Sequence, residues 1–266
     1  MAEGAPLLRE YVGKTCIKGS NPFDSASLKG RPAKGRLCFL SRGLLAIALL
    51  LPGAPALAVD EMTQRMQACT LCHGQQGRAT NDGYFPRIAG KPAGYLFNQL
   101  VNFRDGRRPN AVMAGLVEHM SDAYLREIAG YFAALDLPYP PPPPPTRDAS
   151  AALLERGARL VREGDATRSL AACTACHGAR MTGVQPAMPG LLGLPRDYLG
   201  AQLGAWRSGQ RRAAAPDCMA QIAQKLSLDE LNAVTAWLSS QPVPSPSSAG
   251  GALVTPLPIA CGSGAQ

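Results

Sequence analysis

Histidine is scarce in this chain, at three residues in 266. That excludes a metal site built mainly from imidazoles. Charged side chains make up 17% and aromatics 6%, too little charge for a coiled coil or a disordered acidic tail. Only one stretch is continuously apolar, so the chain is not a multi-span membrane protein. No G-x-S-x-G elbow, no phosphate loop and no alternating strand pattern stands out. What the chain does have is cysteine, glycine and proline, at 8, 28 and 24 residues. Gly and Pro at that level predict much loop. Two of the three histidines directly follow a C-x-x-C.

The apolar run is Gly43–Leu51, preceded by Arg36 and Arg42 and followed by Pro52-Gly53 and Ala56-Leu57-Ala58. A positive segment, a short apolar segment and an A-x-A site read as an export signal. Cleavage is expected after Ala58, giving an exported, periplasmic protein; the alternative is an uncleaved N-terminal membrane anchor. The basic stretch before Arg36 is long for a signal, as a start assigned too far upstream would make it. Residues 1–58 hold eight Lys/Arg and three Asp/Glu, so most of the formal charge of +8 leaves with them and the remainder nets +3. No basic stripe remains for nucleic acid.

Six prolines, Pro140–Pro145, divide the rest. Such a run favours a stiff polyproline II rod and reads as a linker. The same grammar stands on each side of it. Cys69-Thr70-Leu71-Cys72-His73-Gly74 is matched by Cys173-Thr174-Ala175-Cys176-His177-Gly178. Pro86, Gly90, Tyr95-Leu96, Gln99-Leu100, Phe103-Arg104 and Arg108 are matched, 103 residues on, by Pro189, Gly193, Tyr198-Leu199, Gln202-Leu203, Trp206-Arg207 and Arg211. Met113 and Met219 each precede a serine by eight residues, Ser121 and Ser227. This is a tandem duplication. The expected units are 59–139 and 146–242, with a tail at 243–266. Helices are expected at 61–70, 93–105 and 122–135, and at 150–164, 196–208 and 228–239. Units of that size, with long loops, have little core of their own, so something else should fill the middle.

C-x-x-C-H is the attachment signature of haem c. The two thiols add across the two vinyl groups of the macrocycle, and the adjacent histidine then meets the iron. Cys69, Cys72, Cys173 and Cys176 are the expected covalent sites, and His73 and His177 the proximal ligands. The alternative is zinc, shared between the two motifs. A thioredoxin-type motif would need a sheet.

On these motifs, the P-x-x-x-G-x-x-x-x-Y-L-x-x-Q-L segment, the F/W-R-x-G-x-R segment and the downstream methionine, the chain resembles tandem class I cytochrome c domains of the dihaem cytochrome c4 type, from about Val59 to Pro242. The resemblance implies an all-α fold, two haem c groups and a periplasmic electron carrier, soluble or membrane-attached. It also implies that Pro86 and Pro189 offer carbonyls to the proximal histidines.

Methionine suits the distal position of a haem that only transfers electrons. The candidates are Met113, Met120 and His119 in the first half, and Met181, Met188 and Met219 in the second. Internal alignment selects Met113 and Met219, since Met120 matches Leu226, Met188 matches Phe85 and His119 matches Lys225. Arg104, Arg108, Arg207 and Arg211 are candidates for the haem propionates. Cys218 and Cys261 are left over, and an oxidising compartment favours their pairing. That bond would pin a Pro/Ser/Gly-rich tail beside Met219.

The leading functional reading is electron transfer, with no catalytic residue, between a respiratory donor and a terminal oxidase or other acceptor. Partners of that kind are a dehydrogenase, a cytochrome bc1 complex or an oxidase, with peripheral membrane association open. The alternatives are a cytochrome subunit of a periplasmic dehydrogenase complex, and a dihaem peroxidase. The second half nets +3 and the first zero, so the second haem is expected at the higher potential.

Overall fold

Short polar side chains set the helix starts of this protein. Ser121, Ser150 and Ser227 accept hydrogen bonds from the backbone N–H groups of Tyr124, Leu153 and Glu230. Asn110 and Asp217 do the same for Met113 and Ala220. Each such cap satisfies an N–H that the first helical turn leaves unpaired. The computed structural model describes residues 61–80, 83–144, 149–253 and 255–264. The expected export signal, its cleavage after Ala58, Cys16 and Cys38 lie outside the described residues.

The first half holds α1 (Glu61–Arg65), α2 (Gln67–His73), α3 (Ala93–Arg104), α4 (Ala111–Val117) and α5 (Asp122–Ala133). The second holds α6 (Ala151–Arg162), α7 (Thr174–His177), α8 (Arg196–Arg207), α9 (Cys218–Lys225) and α10 (Leu228–Ser240). Strands β1 (Gly183–Val184) and β2 (Met188–Pro189) pair antiparallel. The fold is all-α apart from that ribbon, which is too short to leave an alternating pattern in the sequence. Between α5 and α6 the described residues 134–144 form no helix or strand. No helix among the described residues is long and apolar enough to cross a membrane.

Leu96 and Phe103 of α3 meet Leu125, Ile128 and Phe132 of α5 in one apolar cluster. Val161 of α6, Leu199 of α8 and Val234 and Leu238 of α10 form the other. These positions recur at helical spacing, and each fully buried Leu or Phe contributes about 1.5–3 kcal/mol. The halves meet through Gly94 N–H to the Pro186 carbonyl at 3.1 Å, Arg212 N–H to the Arg107 carbonyl at 2.7 Å, and the Lys91 ammonium to the Gly190 carbonyl at 3.1 Å.

Several elements differ from the sequence expectation. The helix expected at 61–70 breaks at the buried Met66, and its second part runs on through His73. The helix expected at 150–164 stops at Arg162. Gly164 follows with φ of +71°, where a side chain would strike the Leu170 carbonyl. A 3-10 turn, Ala166–Arg168, then leads towards Cys173. Helices α4 and α9, which carry Met113 and Met219, are not among the expected helices, and their signals were the caps Asn110 and Asp217. The tail is ordered as far as described: Gln185 N–H bonds the Gly250 carbonyl, Gly262 N–H the Pro216 carbonyl, and Asn98 Nδ2 the Ser263 carbonyl.

Helix α6 crosses α10 where residue 157 is glycine. A Cβ at Gly157 would run into the Ala233 carbonyl and lie 2.8 Å from Trp237 Cβ. Gly157→Val should therefore force the two helices apart and cost about 1–3 kcal/mol, read as a lower midpoint in thermal denaturation. An unchanged midpoint would show that the crossing relaxes freely.

Candidate functional site

Cys69, Cys72 and His73 lie on α2. Cys176 and His177 lie on α7, with Cys173 at its N-cap. Residues three apart on a helix share a face, so each pair of thiols points one way with the imidazole one residue on. A proline carbonyl fixes each ring. His73 Nδ1 lies 2.9 Å from the Pro86 carbonyl oxygen, and His177 Nδ1 lies 2.8 Å from that of Pro189. A carbonyl only accepts, so Nδ1 carries the proton and Nε2 keeps its lone pair. Burial is the main cause that holds both imidazoles below the ordinary histidine pKa. The rings are therefore neutral near pH 7, as metal ligation requires.

Burial pushes the Cys173 thiol up to about 12, and also raises those of Cys69 and Cys176. Among the described residues no three His, Cys, Asp or Glu side chains converge on a point that could hold a metal ion.

Both histidines and all four motif cysteines line one cavity of about 930 Å³, together with Met113 and Met219. Leu96, Phe103 and Ile128 supply apolar wall from the first half; Leu199, Val234 and Leu238 supply it from the second. Met113 sits on α4, which packs on α3, and Met219 on α9, which packs on α8. Met120 and Met188 also line the cavity, whereas Met181 belongs to the second core cluster. His119 is 91% exposed beside Glu118.

The four candidate arginines separate into two pairs. Arg104 bonds Asp105, Asp122 and the Met120 carbonyl. Arg207 bonds the Gln224 and Leu226 carbonyls. These two hold the chain at the start of α5 and α10, and the propionate role does not fit them. Arg108 and Arg211 do line the cavity. Arg108 donates to Gln99 Oε1 at 3.0 Å, Gln202 Oε1 at 2.8 Å and Tyr198 Oη at 3.1 Å. Arg211 donates to Gln202 Oε1 at 2.5 Å and Gln99 Oε1 at 2.7 Å. Each arginine thus uses its own half's glutamine and its neighbour's. Burial, and then the charge of Arg108, push Arg211 down to about 10, so it remains a cation at neutral pH.

Neither guanidinium has a carboxylate partner among the described residues. Beside them Trp206 Nε1 is buried with no hydrogen-bond acceptor, and Trp206 also lines the cavity. The cavity therefore combines apolar walls, neutral imidazoles, thioethers, two guanidinium groups with no carboxylate partner and one buried N–H with no acceptor among the described residues. That donor set fits a flat apolar group carrying carboxylates and an iron, as haem does. Sequence reasoning registered Tyr95, Tyr198, Gln99 and Gln202 only as repeat matches. It gave no role to Lys91 or to the Trp206 N–H, although Trp206 facing Phe103 in the repeat marked a difference between the halves.

The family model described as cytochrome c matches residues 154–242. A thiosulfate dehydrogenase electron acceptor of Stutzerimonas stutzeri is 38% identical over 173 residues, which is 65% of this chain and 78% of that protein. A cytochrome c4 of Pseudomonas aeruginosa is 31% identical over 73% of this chain and 94% of its own length. The solved structure of reduced recombinant cytochrome c4 from Pseudomonas stutzeri superposes with a TM-score of 0.55 at 28% identity, covering 69% of this chain and 99% of that one. The tandem class I cytochrome c fold, the haem c chemistry that the donor set fits and the extent of these matches agree: the chain belongs to the cytochrome c4 family of electron-transfer proteins.

Proposed function

We propose that the chain binds two haem c groups, one in each half, and works in the periplasm as an electron carrier rather than an enzyme. The observation that carries this reading is the repeated unit of imidazole, proline carbonyl and paired thiols, present twice on one apolar cavity. Bound haem supplies an iron that changes between ferric and ferrous states. Cys69 and Cys72, and Cys173 and Cys176, hold the two groups by thioether bonds. His73 and His177 are the proximal ligands, and the Pro86 and Pro189 carbonyls keep the proton on Nδ1 and fix the ring plane. Met113 and Met219 are the distal ligands. Their soft sulfurs would hold the iron in place of a substrate, which is why a peroxidase is the weaker reading. Arg108, Arg211 and the Trp206 N–H answer the propionates. The apolar walls exclude water.

Export, with cleavage after Ala58, supplies the compartment, and the bonded pair Cys218–Cys261 suits its oxidising conditions. Pro140–Pro145 connects the two units. The partner is a dehydrogenase that delivers electrons, in keeping with what the Stutzerimonas relative is named for. Its docking side is the first half. Tyr84, Val112 and Leu116 rim the cavity there and are exposed, Val112 at 66%. The repeat places Ala187, Cys218 and Ile222 at those positions in the second half. Ala187 is buried, Cys218 is tied to the tail and Ile222 is partly covered.

Expression with haem-ligation machinery should give a red protein with two haems per chain by pyridine haemochrome. One haem, or none with bound zinc, would end this reading. Met113→Ala and Met219→Ala should each turn one haem high-spin and lower its potential. Loss of the low-spin signature in Met120→Ala or Met188→Ala instead would reassign the ligands.

A charge placed on the docking side should slow reduction by a dehydrogenase. In stopped-flow mixing with a reduced thiosulfate dehydrogenase, the double variant Val112→Glu, Leu116→Glu should weaken the encounter about tenfold, equivalent to about 1.4 kcal/mol. Ile222→Glu should leave it nearly unchanged. Equal effects on both sides would place the partner elsewhere.

A further inference from the structure

Lys91 belongs to the first half by sequence, yet its charge lies in the second. It precedes α3 and is 5% exposed. Its ammonium donates to the Gly190 carbonyl at 3.1 Å, one residue after the Pro189 carbonyl that fixes His177 at 2.8 Å. The ring of Tyr139 lies 5.8 Å away, and no carboxylate within ion-pair distance of Lys91 occurs among the described residues. Lys91 also lines the shared cavity. After burial and the Pro189 bond, Lys91 is the third influence on the His177 imidazole, and it depresses it. The repeat offers no return contact, because residue 194, which matches Lys91, is a buried leucine. His73 lies within the influence of Arg108 instead, a cation held in the glutamine network that both halves share.

We infer that Lys91 is a positioning residue that raises the potential of the second half's redox centre. The inference rests on the proposed haem at His177. A ferric centre carries one positive charge more than a ferrous one, so a nearby cation disfavours the oxidised state. Buried charges escape most of the screening that weakens surface ones, and Lys91 is buried against the Gly190 carbonyl and the Tyr139 ring. Net charge and hydrogen bonding near the ligands are the protein's means of setting a haem potential. That charge comes from a residue that a count of charges along the sequence credits to the other half.

The test is a spectroelectrochemical titration of the intact dihaem protein and four variants. Met219→Ala marks the second half's step by its high-spin spectrum. Lys91→Gln keeps a donor for the Gly190 carbonyl and loses the charge, while Lys91→Arg keeps the charge. The expected result is a shift of the second step to lower potential in Lys91→Gln, with the first step unmoved and the wild-type value largely kept in Lys91→Arg. No shift in Lys91→Gln, equal shifts of both steps, or a shift in Lys91→Arg as large as in Lys91→Gln would overturn the inference. A wild-type protein with one haem per chain would overturn the functional reading beneath it, before any lysine variant is made. Lys91→Met, with neither charge nor donor, separates a failure to fold from a charge effect, because it should match Lys91→Gln in potential wherever both bind two haems.

Discussion

The charges of Arg108 and Arg211 have to be answered inside the protein. Both guanidinium groups sit where the two halves meet, and their protein partners are glutamine and tyrosine oxygens. Amide and hydroxyl oxygens satisfy the hydrogen bonds but do not cancel the buried charge of Arg211 and the half-buried one of Arg108, and burial of an uncompensated charge is costly. On the proposed function, carboxylates brought by a cofactor would supply what the chain lacks there. The same place also holds the Trp206 N–H, which has no acceptor. Cofactor binding, the contact between the halves and the choice of an apolar cavity therefore form one problem with one solution.

Duplication explains what is shared, and departures from it explain what is not. Arg104 and Arg207 bond the carbonyls of Met120 and Leu226, which are matched residues in matched places. The two histidine–proline bonds repeat in the same way. The departures occur among residues that line the shared cavity. Val112 faces outward, whereas its match Cys218 is bonded to Cys261, and the tail bond from Ser263 to Asn98 ties that region back to the first half. Phe103 stacks under Arg108 at 4.5 Å, but Trp206 adds an N–H to the same contact with Arg211 at 3.7 Å. Two copies of one sequence thus hold two chemically different sites.

The parts legible in the sequence are those where chemistry forces residue type at fixed spacing. The C-x-x-C-H motifs gave the thiols and imidazoles, and the 103-residue offset gave Pro86, Pro189, Arg108 and Arg211. The first core cluster followed from helical periodicity at Leu125, Ile128 and Phe132. Less legible were features that depend on distant packing. The end of α6 is set by Gly164 against the Leu170 carbonyl, a contact that helix propensity does not encode. The order of the tail comes from backbone bonds to Gln185, Gly183 and Pro216, which its Pro/Ser/Gly composition argued against. Helices α4 and α9 were legible in principle, since Asn110 and Asp217 are cap residues, but their few apolar positions gave no clear period. Lys91 could not be placed at all, because nothing local shows that a lysine will reach a carbonyl ninety-nine residues away.

The most direct test of the central claim is a crystal structure of the exported protein with an anomalous difference map collected at the iron edge. The account predicts two iron peaks, one facing His73 Nε2 and one facing His177 Nε2, with the sulfurs of Met113 and Met219 opposite. One peak, or two peaks whose opposite ligands are Met120 or Met188, would contradict it.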